Sequence, residues 1–444
     1  MTHVFHRHCH ASLPVISKGI GAYLYDKEGK QYLDGCGGAA VSNLGHSHPH
    51  IKQAIINQLN DIPYAHTGFF TNTPSEKLAE LLCSLAPSSL NHVYFVSGGS
   101  EAVESALKMA RQYFVETGQP QKKQVIARRQ SYHGNTLGAL SVGGNAWRRE
   151  PFKPLLTDGH HIAPCYAYRD QDDNESEQQY SLRVANELEQ KIVELGAENV
   201  MAFVAEPVVG ATSGALPATE GYFKRIRQIC DQYNVLLILD EVMCGVGRTG
   251  TFFAFEQEQV VPDIVTVAKG LGGGYQPIGA VLASKTIYNA IAQGSGFFQH
   301  GHTFMAHPLA CCAALATVQT IIKDDLLSNV TKQGERLKQQ LNARLSALPY
   351  IGDIRGKGLF LAIELVKDKR SKAPLSSKTL AHKQIKEMAM SFGLLCYPMA
   401  GTIDGKQGHH VLLAPPFIIT DEQITELVDK LHHAITESAK TWDV

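Results

Sequence analysis

The chain has 444 residues, 44% of them hydrophobic, which is enough to bury a sizeable core and too long for one simple core of ordinary size. Its 41 basic and 42 acidic side chains leave a formal net charge of −1, so it lacks the basic field that binding to a phosphate backbone requires. No window approaches the ~18 apolar residues of a bilayer span, and "MTHVFHRHCHASLPV" lacks the apolar centre of a secretory signal; the expectation is a soluble, cytoplasmic protein that binds neither nucleic acid nor membrane.

The opening stretch crowds His3, His6, His8, Cys9 and His10, a set able to ligate a metal, but nothing around it supplies supporting contacts and a flexible terminus is the preferred reading. Next, "GAYLYDKEGKQYLDG" alternates about "DKEGK", which predicts a β-hairpin. The histidines of "GHSHPH", 46 to 50, have neither a helix-spaced pair nor an accompanying carboxylate, so no metal is expected there. A unit then recurs: a β-branched or apolar run, a small-residue loop, and a segment of helical period. Examples are "HVYFVSGGSEAVESALKMARQYF", "QVIARRQSYHG", "NVMAFVAEPVVG", "NVLLILDEVMCGVGRTG" and "DIVTVAKGLGGG". This is the grammar of an α/β protein with a mostly parallel sheet, and the runs, continuous rather than alternating, predict central strands buried on both faces.

Between these units "RDQDDNESEQQYS", residues 169 to 181, reads as a solvated loop. After about residue 325 the pattern changes to a long charged helix, a strand-turn at "IGDIRGKGLFLAIELV", a helix near 380 to 392 and a terminal helix from about 420. The two ends are expected to build a smaller domain, residues 1–50 with 325–444, around a large domain of 51–324. Nine scattered cysteines without a C-x-x-C pair read as reduced thiols.

In a parallel sheet the carboxyl ends of the strands share one edge, and ligands sit in the crevice beyond it. The residues that follow the predicted strands are Ser97-Gly98-Gly99-Ser100, Tyr132-His133, Glu206, Asp240-Glu241 and Lys269. Behind the glycines, Ala102, Ala106, Ala110 and Phe114 repeat at helical spacing, so a helix starts near Ser100 and its free N–H groups form an anion site or a plain cap. No "GK[ST]" follows, which argues against a nucleotide P-loop. Asp240 closes the apolar "VLLILD" and needs a cationic partner: a metal, an Arg or Lys, or a protonated heterocycle. Lys269 poses the same problem with opposite sign. A desolvated lysine loses its charge and becomes a nucleophile able to form a Schiff base, whereas an isolated one more often snorkels to the surface.

Together these pieces resemble the PLP-dependent transferases of fold type I, and "LLILDEVMCGVGRTG" with "PDIVTVAKGLGGGYQPIGA" resembles the class III, or omega, aminotransferases in particular. The resemblance implies a large domain on a mostly parallel seven-stranded sheet, a smaller α+β domain from both chain ends, and pyridoxal 5'-phosphate as cofactor. It implies that Lys269 holds the cofactor covalently and moves the proton at Cα, that Asp240 pairs with the pyridine nitrogen, and that Gly99 and Ser100 bind the phosphate. Tyr132, beside His133, would stack on one ring face and Val242 pack on the other. Thr303 would reach the phosphate of the neighbouring subunit, making the active unit a homodimer, or a tetramer built from it.

The sequence departs from the family at three points. Glu206 matches a glutamate that in ornithine and GABA enzymes pairs with a C-terminal arginine, but Leu412 stands at that arginine's place in "HHVLLAPPF". The mobile arginine of amine:pyruvate enzymes has no counterpart in "CYPMAGTIDGKQGHH", where the candidate cations are Lys406, His409 and His410. Ala39 and Ala40 stand where bulkier residues are frequent, which predicts a roomier substrate pocket or, alternatively, tight packing against a neighbour. The implied activity is transfer of an amino group from a primary amine or omega-amino acid to a small 2-oxo acid such as pyruvate. A mutase, racemase or decarboxylase on the same scaffold, and a non-catalytic binding protein, are the competing expectations.

Overall fold

The computed structural model describes residues 3–442; Met1 and Thr2 of the histidine-rich opening, and Asp443 and Val444, lie outside the described residues. A seven-stranded sheet lies at its centre, in the order Leu90–Val96, Gly279–Ser284, Ile264–Val267, Leu236–Asp240, Val200–Ala205, Gln124–Arg128, His160–Ile162. Gly279–Ser284 runs antiparallel to both neighbours, and the pairs from Ile264–Val267 through to His160–Ile162 are parallel. The continuous runs "VMAFVA" and "LLILD" are buried at every position, as strands covered on both faces must be.

Alternation across the pleat divides the sheet's side chains between two cores. On one face Val204, Ile238, Ile264 and Val281 meet Ala102, Val103, Ala106, Ala110 and Phe114 of the helix Gly99–Glu116. On the other, Phe203, Leu237 and Val265 meet Tyr222, Phe223 and Ile226 of the helix Tyr222–Gln232. The alanine stripe of the first helix lets it lie close to the sheet, and burying a side chain the size of Phe114 contributes about 2–3 kcal/mol.

Two expectations are corrected. Leu90–Val96 is an edge strand, half-buried at four of its seven positions, because strand order is set by the crossovers and not by the composition of the strand itself. The segment 169–181 is a loop only in its middle: Ala167–Asp170 is a helical turn, and Ser176 and Gln179 form a capping box that starts the helix Glu177–Leu195, burying Tyr180 and Ser181.

The chain ends come together in a second sheet, where Leu394–Leu395 pairs in parallel with Gln31–Asp34 of the hairpin Tyr23–Asp26/Gln31–Asp34. A third sheet joins Ile351–Lys357, Phe360–Asp368, His409–Leu413 and Tyr397–Ala400, and the helix Asp421–Ala439 closes the chain with its own capping box at Thr420 and Gln423. No described helix is long and apolar enough to cross a membrane.

Candidate active site

Five strand ends converge on one crevice. Leu90–Val96 runs into Ser97 and Gly98, and the helix begins at Gly99 with an extended Gly98 and no side-chain cap, so its first N–H groups are left for another acceptor. A Cβ on Gly99 would lie 2.7 Å from Cγ1 of Val242, so only glycine lets this turn and the segment after Asp240 approach so closely. Ser100 Oγ accepts from the Asn135 amide at 3.0 Å and keeps its own proton to donate.

Asp240 is 3% exposed at the end of its strand. One carboxylate oxygen accepts from the Val242 amide at 3.0 Å and from Thr266 Oγ1 at 3.3 Å; the other lies 2.8 Å from His133 Nδ1. His133 is itself buried, and its Nε2 has no hydrogen-bond partner. Glu206 ends the next strand, its two oxygens accepting from the Tyr132 amide at 3.0 Å and the Gly210 amide at 2.9 Å. Burial pushes its carboxyl up and the nearby Asp240 adds to this, with His133 opposing. Backbone amides thus hold the Glu206 carboxylate, and Leu412, at the place where an arginine partner would stand, is buried in the core in the same cluster as Ala40.

Lys269 follows Ile264–Val267 in a left-handed conformation, φ 47°, uncommon for a lysine and held here by the turn Lys269–Leu271. A Cβ on Gly270 would fall 2.2 Å from Asn43 Nδ2, which is why glycine follows the lysine. Lys269 Nζ donates to the Ala39 carbonyl at 3.1 Å. Burial lowers its pKa, Arg148 adds to the lowering, and Asp240 and Glu206 oppose it, so the amine sits between two acids and one guanidinium.

Tyr132 presents its ring to the Arg148 guanidinium, whose carbon is 4.5 Å from the ring centroid. Thr303 is exposed, its carbonyl accepting from Tyr64. Of the expected pocket residues, Ala40 follows the packing alternative and His410 sits differently from the prediction. Ala40 is 2% exposed and packs with Val208, Phe360 and Leu412, so tight packing holds there and Ala39 alone keeps a half-buried place beside Lys269. His410 is fully buried, 2.7 Å from Thr402 Oγ1, and burial with the neighbouring Arg355 pushes its pKa down to about 3, so it stays neutral and cannot serve as a cation. His409 is likewise buried with a lowered pKa, which leaves the exposed Lys406 from that segment. Arg248 and Arg355 hold loops: Arg248 donates to the carbonyls of Leu359 and Pro415, and Arg355 to those of Ser213 and Gly214.

Sequence reasoning missed Thr266, whose hydroxyl reaches Asp240, and Arg148. Thr266 was legible as the one polar residue of "IVTV", and it pairs directly opposite Asp240 in the sheet. Arg148, in "WRRE", carried no periodic signal.

A buried acid at one strand end, an amine at the next and an uncapped helix start beside them suit a cofactor with a basic ring nitrogen, an aldehyde and a phosphate. They form the site of a PLP-dependent transferase of fold type I. The chain matches the family described as Aminotransferase class-III over residues 4–435. It is 44% identical to an uncharacterized aminotransferase of Schizosaccharomyces pombe, across 96% of this chain and 93% of that protein. It is 34% identical to a putrescine–pyruvate aminotransferase of Pseudomonas aeruginosa, across 96% and 91%. Among solved structures it resembles an omega transaminase of Pseudomonas jessenii in complex with PMP, with a TM-score of 0.92 and 32% identity across 99% of this chain and 96% of that one. The chain belongs to the class III aminotransferases, which are PLP-dependent enzymes acting on small amines and keto acids.

Proposed function

We propose that this aminotransferase takes the amino group of a primary amine or omega-amino acid and gives it to a small 2-oxo acid, pyruvate being the leading candidate, in two half-reactions with ping-pong kinetics. The observation that carries this reading is the placing of Lys269 and Asp240 at the ends of adjacent strands, near enough for each charge to act on the other. The bound cofactor supplies an electron sink for the pair released at the amine carbon.

Around it this chain's residues have separate tasks. Lys269 Nζ, whose pKa burial lowers, would be the nucleophile that holds the cofactor and afterwards the base and acid that carries the proton. Asp240, positioned by His133, Thr266 and the Val242 amide, would pair with the ring nitrogen and keep it protonated. Tyr132 and Val242 would flank the ring, and Gly99 and Ser100 would take the phosphate at the open helix start. Thr303, exposed in the single chain, is assigned to the phosphate of a second copy, which makes the active unit a homodimer. The crevice belongs to the domain of residues 51–324, with 1–50 and 325–444 as its smaller partner.

The similarity to a putrescine–pyruvate enzyme supports pyruvate and an amine donor. The test is a panel of diamines, omega-amino acids and arylalkylamines, added first without acceptor while the cofactor absorbance is followed, then with pyruvate or 2-oxoglutarate. Stoichiometric conversion by an amine alone and its reversal by pyruvate are expected. Carbon dioxide release, or turnover with no lasting conversion, would replace transamination by decarboxylation or by a mutase or racemase reaction.

A further inference from the structure

Transfer to a 2-oxo acid requires that an anionic carboxylate be held in a crevice that already contains Asp240 and Glu206. Unpaired, that carboxylate is too costly to desolvate there. We propose that Arg148 holds the carboxylate of the 2-oxo acid acceptor. This rests on the reading of the reaction given above.

Most cations near the crevice are already committed. Arg128 donates to the Glu206 carbonyl and lies over the rings of Tyr222 and Phe223. Arg248 is held by Leu359, Pro415 and Asn43, and Arg355 and Arg169 by Glu364. Arg149 is half-buried and acts on His161, at the outermost strand of the sheet. Arg148 and Arg149 are both half-buried, and among the described residues no carboxylate pairs with either guanidinium; of the two, Arg148 is the one that lies over Tyr132 and acts on the Lys269 amine.

Its position is built rather than accidental. The short helix Ala146–Arg149 is capped by Asn145, whose side chain accepts from the Arg148 amide at 3.2 Å and donates to Gln130 Oε1 at 3.1 Å. Gln130, two residues before Tyr132, also donates to the carbonyls of Gly401 and Thr402 at 2.7 and 3.1 Å. A Cβ on Gly405 would stand 3.1 Å from the Trp147 amide, so the loop 401–405 lies directly on the turn that carries Arg148. Anchored from both sides, the guanidinium stacks 4.5 Å from the Tyr132 ring centroid and acts on the Lys269 amine. A guanidinium held over aromatic rings, here Tyr132 and at 5.9 Å Trp147, spends no N–H on a carboxylate and keeps its donors for one. Each other cation of the 397–410 wall is neutralised by burial or exposed to solvent, as His410 and Lys406 illustrate.

The experiment compares the cofactor-loaded wild type with Arg148→Leu and Arg148→Lys. With one carboxylate-free amine donor, the KM for pyruvate should rise roughly 10- to 100-fold in Arg148→Leu, the range expected for losing charged hydrogen bonds. The KM for butanal, an acceptor without a carboxylate, should stay within about twofold of wild type. Propanoate, titrated into the loaded protein and followed by cofactor absorbance, should lose affinity by a similar factor, and Arg148→Lys should recover part of it. Equal losses with pyruvate and butanal would overturn the assignment, as would loss of cofactor from Arg148→Leu on dialysis. If wild type itself accepts no 2-oxo acid, the reading of the reaction fails; if it does and the variant matches it, only the role of Arg148 fails.

Discussion

Two buried clusters of charge in this molecule invite comparison. Around Glu364, one carboxylate oxygen accepts from Arg169 Nε at 2.7 Å and the other from Arg355 at 2.6 Å and from the Tyr166 hydroxyl. Burial alone would raise its carboxyl, but Arg355 and Arg169 outweigh that and hold it below the usual carboxylate range. Around Asp240, by contrast, the neighbours leave something over: His133 keeps a buried unpartnered nitrogen, Glu206 is raised by burial, and Lys269 is lowered by it. Both clusters are ionic and both are inside. In the first the carboxylate meets two guanidinium groups and holds strands and loops together; in the second two acids and an amine share one crevice with no such match, and a ligand supplies the missing charges. Residual demand, more than the density of charge, separates a site from a staple.

The comparison breaks most sharply at Lys269. Lys269→Ala removes the nucleophile and the proton carrier together, and transamination should fall by roughly 10⁴-fold or more while the melting temperature stays near or above that of wild type, since a buried amine is lost. Borohydride reduction of the loaded wild type, followed by peptide analysis, should label position 269; a label elsewhere would remove the basis of the site. At the other cluster, Glu364→Ala should cost about 3 kcal/mol of stability by leaving the Arg169 guanidinium without its carboxylate and Arg355 with Asp353 alone, with the KM of amine and acceptor unchanged in the protein that remains folded. Denaturant unfolding beside steady-state kinetics reads both halves. A Glu364→Ala variant that is stable yet inactive would erase the distinction between staple and site.

Much of this was legible in the residues. Asp240 and Lys269 each close a continuous apolar run, and in a parallel sheet that position alone brings them to one edge. Gly99 and Val242 were read separately, whereas their mutual contact depends on the spacing of adjacent strand ends. The helix starting at Glu177 hid because its first turn is polar, although the Ser176-x-x-Gln179 pattern was there to be read. Ala40 admitted two readings, and His410 misled for another reason. Both stand in segments close to the crevice in sequence, but which way a side chain points at the end of a short irregular helix or along an inner strand is decided by tertiary packing. Arg148 escaped because its place depends on three anchors, Asn145, Gln130 and Gly405, that are far apart in the chain.

The smallest effect sharpens the comparison at the border of the Glu364 cluster. His410 pairs across the sheet with Glu364, and the charged or titratable groups acting on it are Arg355, Glu364 and His409. Its pKa is pushed down to about 3 in the folded protein, from 6.5, by burial first and Arg355 second. Between those values the unfolded chain binds a proton that the folded chain refuses. Stability therefore decreases as pH falls through 6.5 and continues to decrease until the folded pKa is reached. A His410→Gln variant, which retains a hydrogen-bonding partner for Thr402, should lose this part of the slope, amounting to about 2 kcal/mol between neutral pH and about pH 5. Unfolding curves for the two proteins at several pH values measure the difference directly. Parallel pH profiles would mean that His410 takes up its proton inside the fold, and the Glu364 cluster would then be open to charge in the same way as the crevice.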